Sequence, residues 1–145
     1  MALLPKRSFD SKTLLASTTT VAGAVSTQGD EVRLPGMVNS LMLTLDVTAA
    51  ATDVGDTLDV TVQTKIDGTN WLDVAHFAQV LGNGGAVRHI EKVSAGVAFA
   101  GFEVGSALGA GAVRDLLGDV WRVSYVQVDG DSNGTFTFSV AACPM

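Results

Sequence analysis

Apolar and polar side chains alternate with a period of two along much of this chain. Because successive side chains of a β-strand point to opposite faces, this period predicts strands with one dry face and one wet face. Such strands are typical of antiparallel sheets that pack face to face. The clearest runs cover residues 41–47, 58–66, 121–125 and 136–140. Weaker alternation predicts further strands at residues 12–17, 20–25, 73–80 and 86–93.

Clusters of Gly, Asn and Asp separate these runs at residues 67–70, 82–85 and 129–134. Gly and Asn accept the positive φ that tight turns need, and Asp stabilises turns through local hydrogen bonds. The last cluster is predicted to join the final two strands as a hairpin. The fold class is therefore all-β, and the recurrence of the turns predicts an antiparallel β-sandwich or a jelly roll.

Two parts of the chain depart from the alternating pattern. Residues 94–118 are rich in Gly, which opposes a long helix, although residues 112–117 are compatible with one helical turn. We expect an irregular excursion there, whose function would be contact with a neighbouring molecule. Residues 1–12 are predicted to form an extended N-terminal arm, and residues 13–145 a single sandwich domain.

Composition points to an assembly component. Charged residues make up only 17% of the 145 residues, below the usual quarter, and a weakly charged surface favours association. The formal net charge of −6 argues against a nucleic-acid partner. No apolar run reaches the ~18 residues that a membrane span needs. A single cysteine, Cys143, excludes an internal disulfide, so a reducing compartment fits best.

Charge is also unevenly distributed, because a basic arm precedes an acidic body. Lys6, Arg7 and Lys12 lie in the first twelve residues and are opposed there only by Asp10. Such an arm often reaches toward an acidic neighbour, which here would be a protein. A solvated tail with no partner is an equally good interpretation of the charge pattern alone.

Candidate catalytic and cofactor-binding residues are few. His76 and His89 lie on separate predicted segments, with no Cys or His at the spacing of a zinc site. Cys143 has no neighbouring His in the sequence that would activate it as a nucleophile. We therefore predict that the protein is not an enzyme and has no catalytic residue and no cofactor.

The last turn begins like a calcium loop, with Asp129-x-Asp131-x-Asn133-Gly134. An EF-hand loop needs a bidentate Glu at its twelfth position, where this chain has Val140, and no incoming helix is predicted. We interpret the segment as a turn and predict no metal site, with weak calcium binding as the alternative.

Trp71 and Trp121 each have two interpretations. Exposed aromatic side chains on a β-sandwich can bind sugars or proteins. Both residues, however, lie within alternating apolar patterns, and Trp is deeply buried on average, so we predict that both pack in the core.

Two strand–turn blocks carry a family resemblance. The first is Leu58-Asp59-Val60-Thr61-Val62-Gln63-Thr64 followed by Asp67-Gly68-Thr69-Asn70-Trp71. The second is Trp121-Arg122-Val123-Ser124-Tyr125 followed by Gly134-Thr135-Phe136-Thr137-Phe138-Ser139-Val140. Together with the start Met1-Ala2-Leu3-Leu4-Pro5-Lys6-Arg7, they resemble the jelly-roll cement (decoration) proteins of short-tailed bacteriophage capsids. The resemblance does not extend to residues 94–118.

The resemblance implies a structural virion protein, made in the host cytoplasm, that binds the outer capsid surface and clamps neighbouring subunits. Its implied partners are the major capsid protein and a second copy in a homodimer. Two alternatives stay open: a neck or tail structural protein of a phage, and a carbohydrate-binding β-sandwich module. The predicted protein interface lies in the arm, with apolar anchors at Leu3, Leu4 and Phe9 and charge contacts at Lys6 and Arg7.

Overall fold

A computed structural model describes residues 10–34, 39–96, 98 and 100–145. These residues form ten strands in two antiparallel sheets that pack as a sandwich, and they contain no helix. The strands are β1 (Lys12–Thr19), β2 (Val25–Gln28), β3 (Val32–Arg33), β4 (Ser40–Ala49), β5 (Thr57–Lys65), β6 (Trp71–His76), β7 (Val80–Leu81), β8 (Val87–Ser94), β9 (Val120–Val128) and β10 (Thr137–Pro144).

The strand order within the sheets is that of a jelly roll. The four-stranded sheet has the order β1-β10-β4-β8. The six-stranded sheet has the order β2-β9-β5-β6, with β3 added to β9 and β7 added to β5. Consecutive long strands mostly lie in opposite sheets, so the two halves of the chain wrap around each other as Greek keys. The predicted antiparallel sandwich is confirmed.

Inward side chains from both sheets fill one apolar core, and the clearest sequence alternation predicts most of them correctly. Along β4 and β5, each inward apolar side chain is at most 1% exposed, whereas the residues between them are partly exposed. Full burial of one such side chain stabilises the fold by about 1.5–3 kcal/mol. The largest members of the core are Trp121, Phe77, Phe136, Phe138, Leu41, Leu43, Leu45 and Leu58.

Three local predictions about strands and helices are wrong. Residues 20–24 form a loop before β2 rather than a strand, and Gly23 there has a φ of 101°. Ile66 continues the apolar alternation of β5, but the strand ends at Lys65 and Ile66 is 59% exposed in the turn. Residues 112–117 form no helical turn, because Val113 bridges Ala75 in an extended conformation.

The predicted hairpin at residues 129–134 is also wrong. This segment joins β9 in the six-stranded sheet to β10 in the four-stranded sheet, so it crosses from one layer to the other. A cluster of Gly, Asn and Asp indicates that the chain turns, but it does not indicate whether the flanking strands pair.

Most of the predicted arm, residues 1–12, lies outside the described residues. Strand β1 begins at Lys12, where the arm was predicted to end. The residues of the predicted protein interface also lie outside the described residues: Leu3, Leu4, Lys6, Arg7 and Phe9.

Candidate interaction site

The outward side chains of β4, β8 and β10 form a broad, weakly charged surface, here called the four-stranded face. Along β4 and β10 the inward side chains are buried in the core, and the side chains between them point to solvent. The strand register aligns Ala141, Thr44 and Ile90 in one uncharged row across the three strands. Ile90, at 58% exposure, is the most prominent apolar side chain of that row.

Charged groups lie beside this row and partly neutralise each other. On one side, Arg88 donates a hydrogen bond to Asp46 with an Nη2–Oδ2 distance of 3.2 Å. On the other side, the register aligns Cys143, Met42 and Lys92. Because desolvation of charged groups is costly, these groups suit the solvent-exposed rim of a contact whose centre is the uncharged row. The four-stranded face is therefore suited to contact with another protein.

Both outer strands of the four-stranded sheet are eight residues long. Within the described ranges, no further strand pairs with β1 or β8 at this sheet's edges. The pairing of β1 shifts register between Thr13 and Leu15 and again between Leu15 and Thr18. Such bulges hinder strand addition, whereas β8 pairs with β4 in unbroken register and has a regular edge. Strand β8 is thus the edge better suited to pairing with a second chain.

The irregular segment after β8 covers an edge of the other sheet. Its backbone exchanges hydrogen bonds with β6: Gly111 donates to His76, His76 donates to Ala112, and Arg114 donates to Val74, at 2.7–3.0 Å. The Arg114 guanidinium also lies 4.0 Å from the ring centroid of Phe102. These contacts pair the exposed backbone of β6, so the segment has a structural role. Contact with a neighbour, as predicted for this region, stays a prediction.

The two tryptophans differ in position. Trp121 is fully buried, as predicted, but the prediction for Trp71 is wrong. Trp71 is half-buried on the outer face of the six-stranded sheet, and its ring centroid lies 4.3 Å from Arg122 Cζ and 5.0 Å from Lys65 Nζ. Cation–π contacts of this kind contribute about 0.5–1 kcal/mol at exposed sites. The Arg122 and Lys65 side chains also cover the face of the Trp71 ring on which a sugar would stack.

The candidate nucleophile and bases do not converge. Cys143 pairs with Met42 on the four-stranded face, whereas His89 pairs with Leu45 and therefore points to the opposite side of that sheet. His76 belongs to the six-stranded sheet, where its ring nitrogens contact Asp59 Oδ1 at 3.1 Å and a backbone carbonyl at 2.7 Å. These contacts give His76 a positioning role between β5, β6 and the irregular segment.

Comparisons of this chain with protein-family models, with curated proteins and with solved structures find no match. The resemblance to phage cement proteins therefore stays a prediction. Within the described part of the chain, no helix is long and apolar enough to cross a membrane.

Proposed function

We propose that this protein is a structural component of a bacteriophage virion that binds the outer capsid surface and clamps neighbouring major capsid subunits, without catalytic activity. The observation that carries the proposal is the four-stranded face, where an uncharged row crosses three strands of a rigid sheet. Viral capsid proteins are prominent among jelly rolls, although the fold alone does not define a function.

The size of the four-stranded face explains why an arm would be needed as well. Its three strands, about 4.8 Å apart and each about eight residues long at 3.3 Å per residue, present roughly 400 Å². A stable interface buries about 800 Å² on each partner. The arm of residues 1–12 would supply the remaining area, with Leu3, Leu4 and Phe9 as apolar anchors and Lys6 and Arg7 as charge contacts.

A homodimer requires a different surface, since the four-stranded face is assigned to the shell. The edge of β8 supports this role because β8 pairs with β4 in unbroken register, so its free backbone groups are regularly spaced. Edge strands of two copies pair through backbone hydrogen bonds in β-augmentation. The major capsid protein and a second copy of this chain are thus the proposed partners.

Co-sedimentation with capsids that lack this protein tests the proposal. The variant Ile90→Glu places a charge in the uncharged row, and we expect binding at least about tenfold weaker, which corresponds to 1.4 kcal/mol. The matched control is Val126→Glu, which changes a 42% exposed residue on the outer face of the six-stranded sheet. This control is expected to bind like wild type. Equal binding by wild type and Ile90→Glu would contradict the assignment of the face.

Deletion of residues 1–10 tests the arm separately. Because β1 begins at Lys12, we expect the truncated chain to fold and to bind capsids poorly. Undiminished binding would exclude the arm from the interface. Copy number separates capsid cement from a neck or tail component, since a shell takes hundreds of copies and a closed ring six to a dozen, as symmetric assembly predicts.

A carbohydrate-binding module is the second candidate, favoured only by the partial exposure of Trp71. Sugar binding at this ring would displace Arg122 and Lys65, which lie 4.3 and 5.0 Å from the ring centroid. Tryptophan fluorescence of wild type and Trp71→Phe, measured across a panel of sugars, tests this alternative. We expect no sugar-dependent change in either protein.

A further inference from the structure

Carboxylates from two loops meet at one end of the sandwich. Asp53 and Asp56 lie between β4 and β5, and Asp131 lies between β9 and β10. One carboxylate oxygen from each of these residues lies within 4.8 Å of the others. All three residues line the same shallow pocket, and Asp129 adjoins them in the second loop. The chain thus concentrates negative charge at a place where two distant segments meet.

Asp56 points to a ligand in this pocket. Asp56 is 2% exposed, and its Oδ2 atom has no hydrogen-bond partner among the residues described. Buried carboxylates are normally paired with a donor or a cation, because desolvation of an unpaired charge is costly. In the described ranges, neither Asp53, Asp56, Asp129 nor Asp131 forms an ion pair with Lys, Arg or His. The positive charge that would stabilise Asp56 is not supplied by the described side chains.

The electrostatics of the cluster agree with this geometry. Burial raises the pKa of Asp56, and the nearby charges of Asp129 and Asp53 raise it further. The hydrogen-bonding contact with Asp53 raises the pKa of Asp131 to about 6, with Asp129 and partial desolvation adding to the shift. These carboxyl groups therefore retain protons at pH values where isolated carboxyl groups have lost them, and a cation would replace those protons.

Backbone contacts hold both loops in place. Burial alone would raise the pKa of Asp129, but hydrogen bonds from the backbone N–H groups of Gly23 and Gly134, at 2.9 and 2.7 Å, outweigh it and lower that pKa. In the other loop, the Gly82 N–H donates to the Asp56 carbonyl at 2.8 Å. A Cβ atom at position 134 would clash with Asp56 Oδ2, so Gly134 permits the close approach.

We propose that Asp53, Asp56 and Asp131 form a calcium-binding site that fastens the β4–β5 loop to the β9–β10 loop. Calcium takes oxygen ligands at 2.3–2.6 Å, so oxygens on opposite sides of the ion lie about 5 Å apart. The three oxygens lie within 4.8 Å of one another, so one calcium ion can reach all of them. Calcium accepts flexible coordination geometry, whereas magnesium demands a near-ideal octahedron, so an open site with three protein carboxylates suits calcium better. Asp129 is a positioning residue, and water completes the coordination on the open side.

The site is independent of the proposed capsid role and extends the calcium alternative considered for residues 129–134. An EF-hand loop is one continuous segment, and this chain has Val140 where such a loop needs a Glu. The structure instead brings Asp53 and Asp56 to Asp131 from a loop far away in the sequence. The ligand set is therefore shared between two loops, which no single-loop motif describes.

Calcium titration of the metal-stripped full chain tests the site. We expect one calcium ion to bind per chain in isothermal titration calorimetry. At a calcium concentration about 100-fold above Kd, we expect the unfolding midpoint to rise by roughly 5–10 °C. Sodium chloride at matched ionic strength is the control for charge screening, and it should give a much smaller shift. No binding heat, or a shift equal to that of sodium chloride, would overturn the proposal. An equal response to magnesium would overturn the assignment to calcium.

Variants separate metal binding from a structural role of the loops. The double variant Asp53→Asn/Asp131→Asn should bind calcium at least tenfold more weakly than wild type. The control Asp30→Asn removes one exposed carboxylate away from the site, and its unfolding midpoint should respond to calcium as that of wild type does. Asp56→Asn removes the buried charge, so this variant should fold without calcium at least as stably as wild type while losing the calcium response. A full calcium response in the double variant would refute the assigned ligands.

Discussion

Gln127 is the buried polar side chain that joins the loops at the carboxylate-rich end of the sandwich. It is 1% exposed, and its Nε2 atom donates to the carbonyls of Gly23 and Gly134 at 2.8 and 2.9 Å. A third carbonyl, that of Val21, lies 3.1 Å from the same nitrogen. The Thr20 hydroxyl donates to the Gln127 Oε1 atom. One side chain thus satisfies polar groups from two loops, one between β1 and β2 and the other between β9 and β10.

The substitution Gln127→Leu retains most of the side-chain volume and removes every one of these hydrogen bonds. Each buried polar group that loses its partner costs about 1–3 kcal/mol. The Thr20 hydroxyl would still accept a hydrogen bond from the Phe136 N–H at 2.9 Å, so we count chiefly the two closer carbonyls, of Gly23 and Gly134. We therefore expect the free energy of unfolding to fall by about 3–5 kcal/mol, a large part of the 5–15 kcal/mol typical of a domain.

Urea denaturation, followed by the fluorescence of the buried Trp121, measures this loss. The matched control is Gln28→Leu, at an exposed position of β2, which should change stability by no more than about 0.5 kcal/mol. Gln127→Leu should lower the midpoint without changing the slope of the transition. A loss below about 1 kcal/mol, or an equal loss in the control, would refute the reasoning.

Three further predictions concern pH and the tryptophans. Without calcium, the raised pKa of Asp131 stabilises the folded state below about pH 4, and this contribution is lost as the pH rises through about 6. Between these pH values, the free energy of unfolding of Asp131→Asn should therefore change less with pH than that of wild type. Conversely, backbone hydrogen bonding from Asn70 lowers the pKa of Asp67 to about 2. The resulting stabilisation is present above about pH 4 and is lost as the pH falls through about 2. Asp67→Asn should not show this acid-dependent loss of stability. Trp121→Ala should cost about 3–5 kcal/mol in urea denaturation, and Trp71→Ala at most about half as much, since Trp71 is only half-buried; equal losses would contradict the assigned positions.

The sequence by itself determined the class of fold and much of the core. Alternation is a local property, because neighbouring side chains of an extended strand point to opposite sides whatever the strand pairs with. Leu41, Leu43 and Leu45 could therefore be assigned to one dry face before any pairing was known. A signal for Trp71 was present too, since Leu72 and Val74 define the inward phase of β6 and Trp71 lies out of phase with them.

Tertiary structure alone decided which surfaces and charges come together. The row through Ala141, Thr44 and Ile90 exists only because β4 pairs with β10 on one side and β8 on the other. Likewise, Asp56 and Asp131 become neighbours because the jelly-roll topology brings two loops to one end of the sandwich. Hydrogen bonding between strands distant in sequence sets these proximities, and a period of two contains no information about which strand will be the partner.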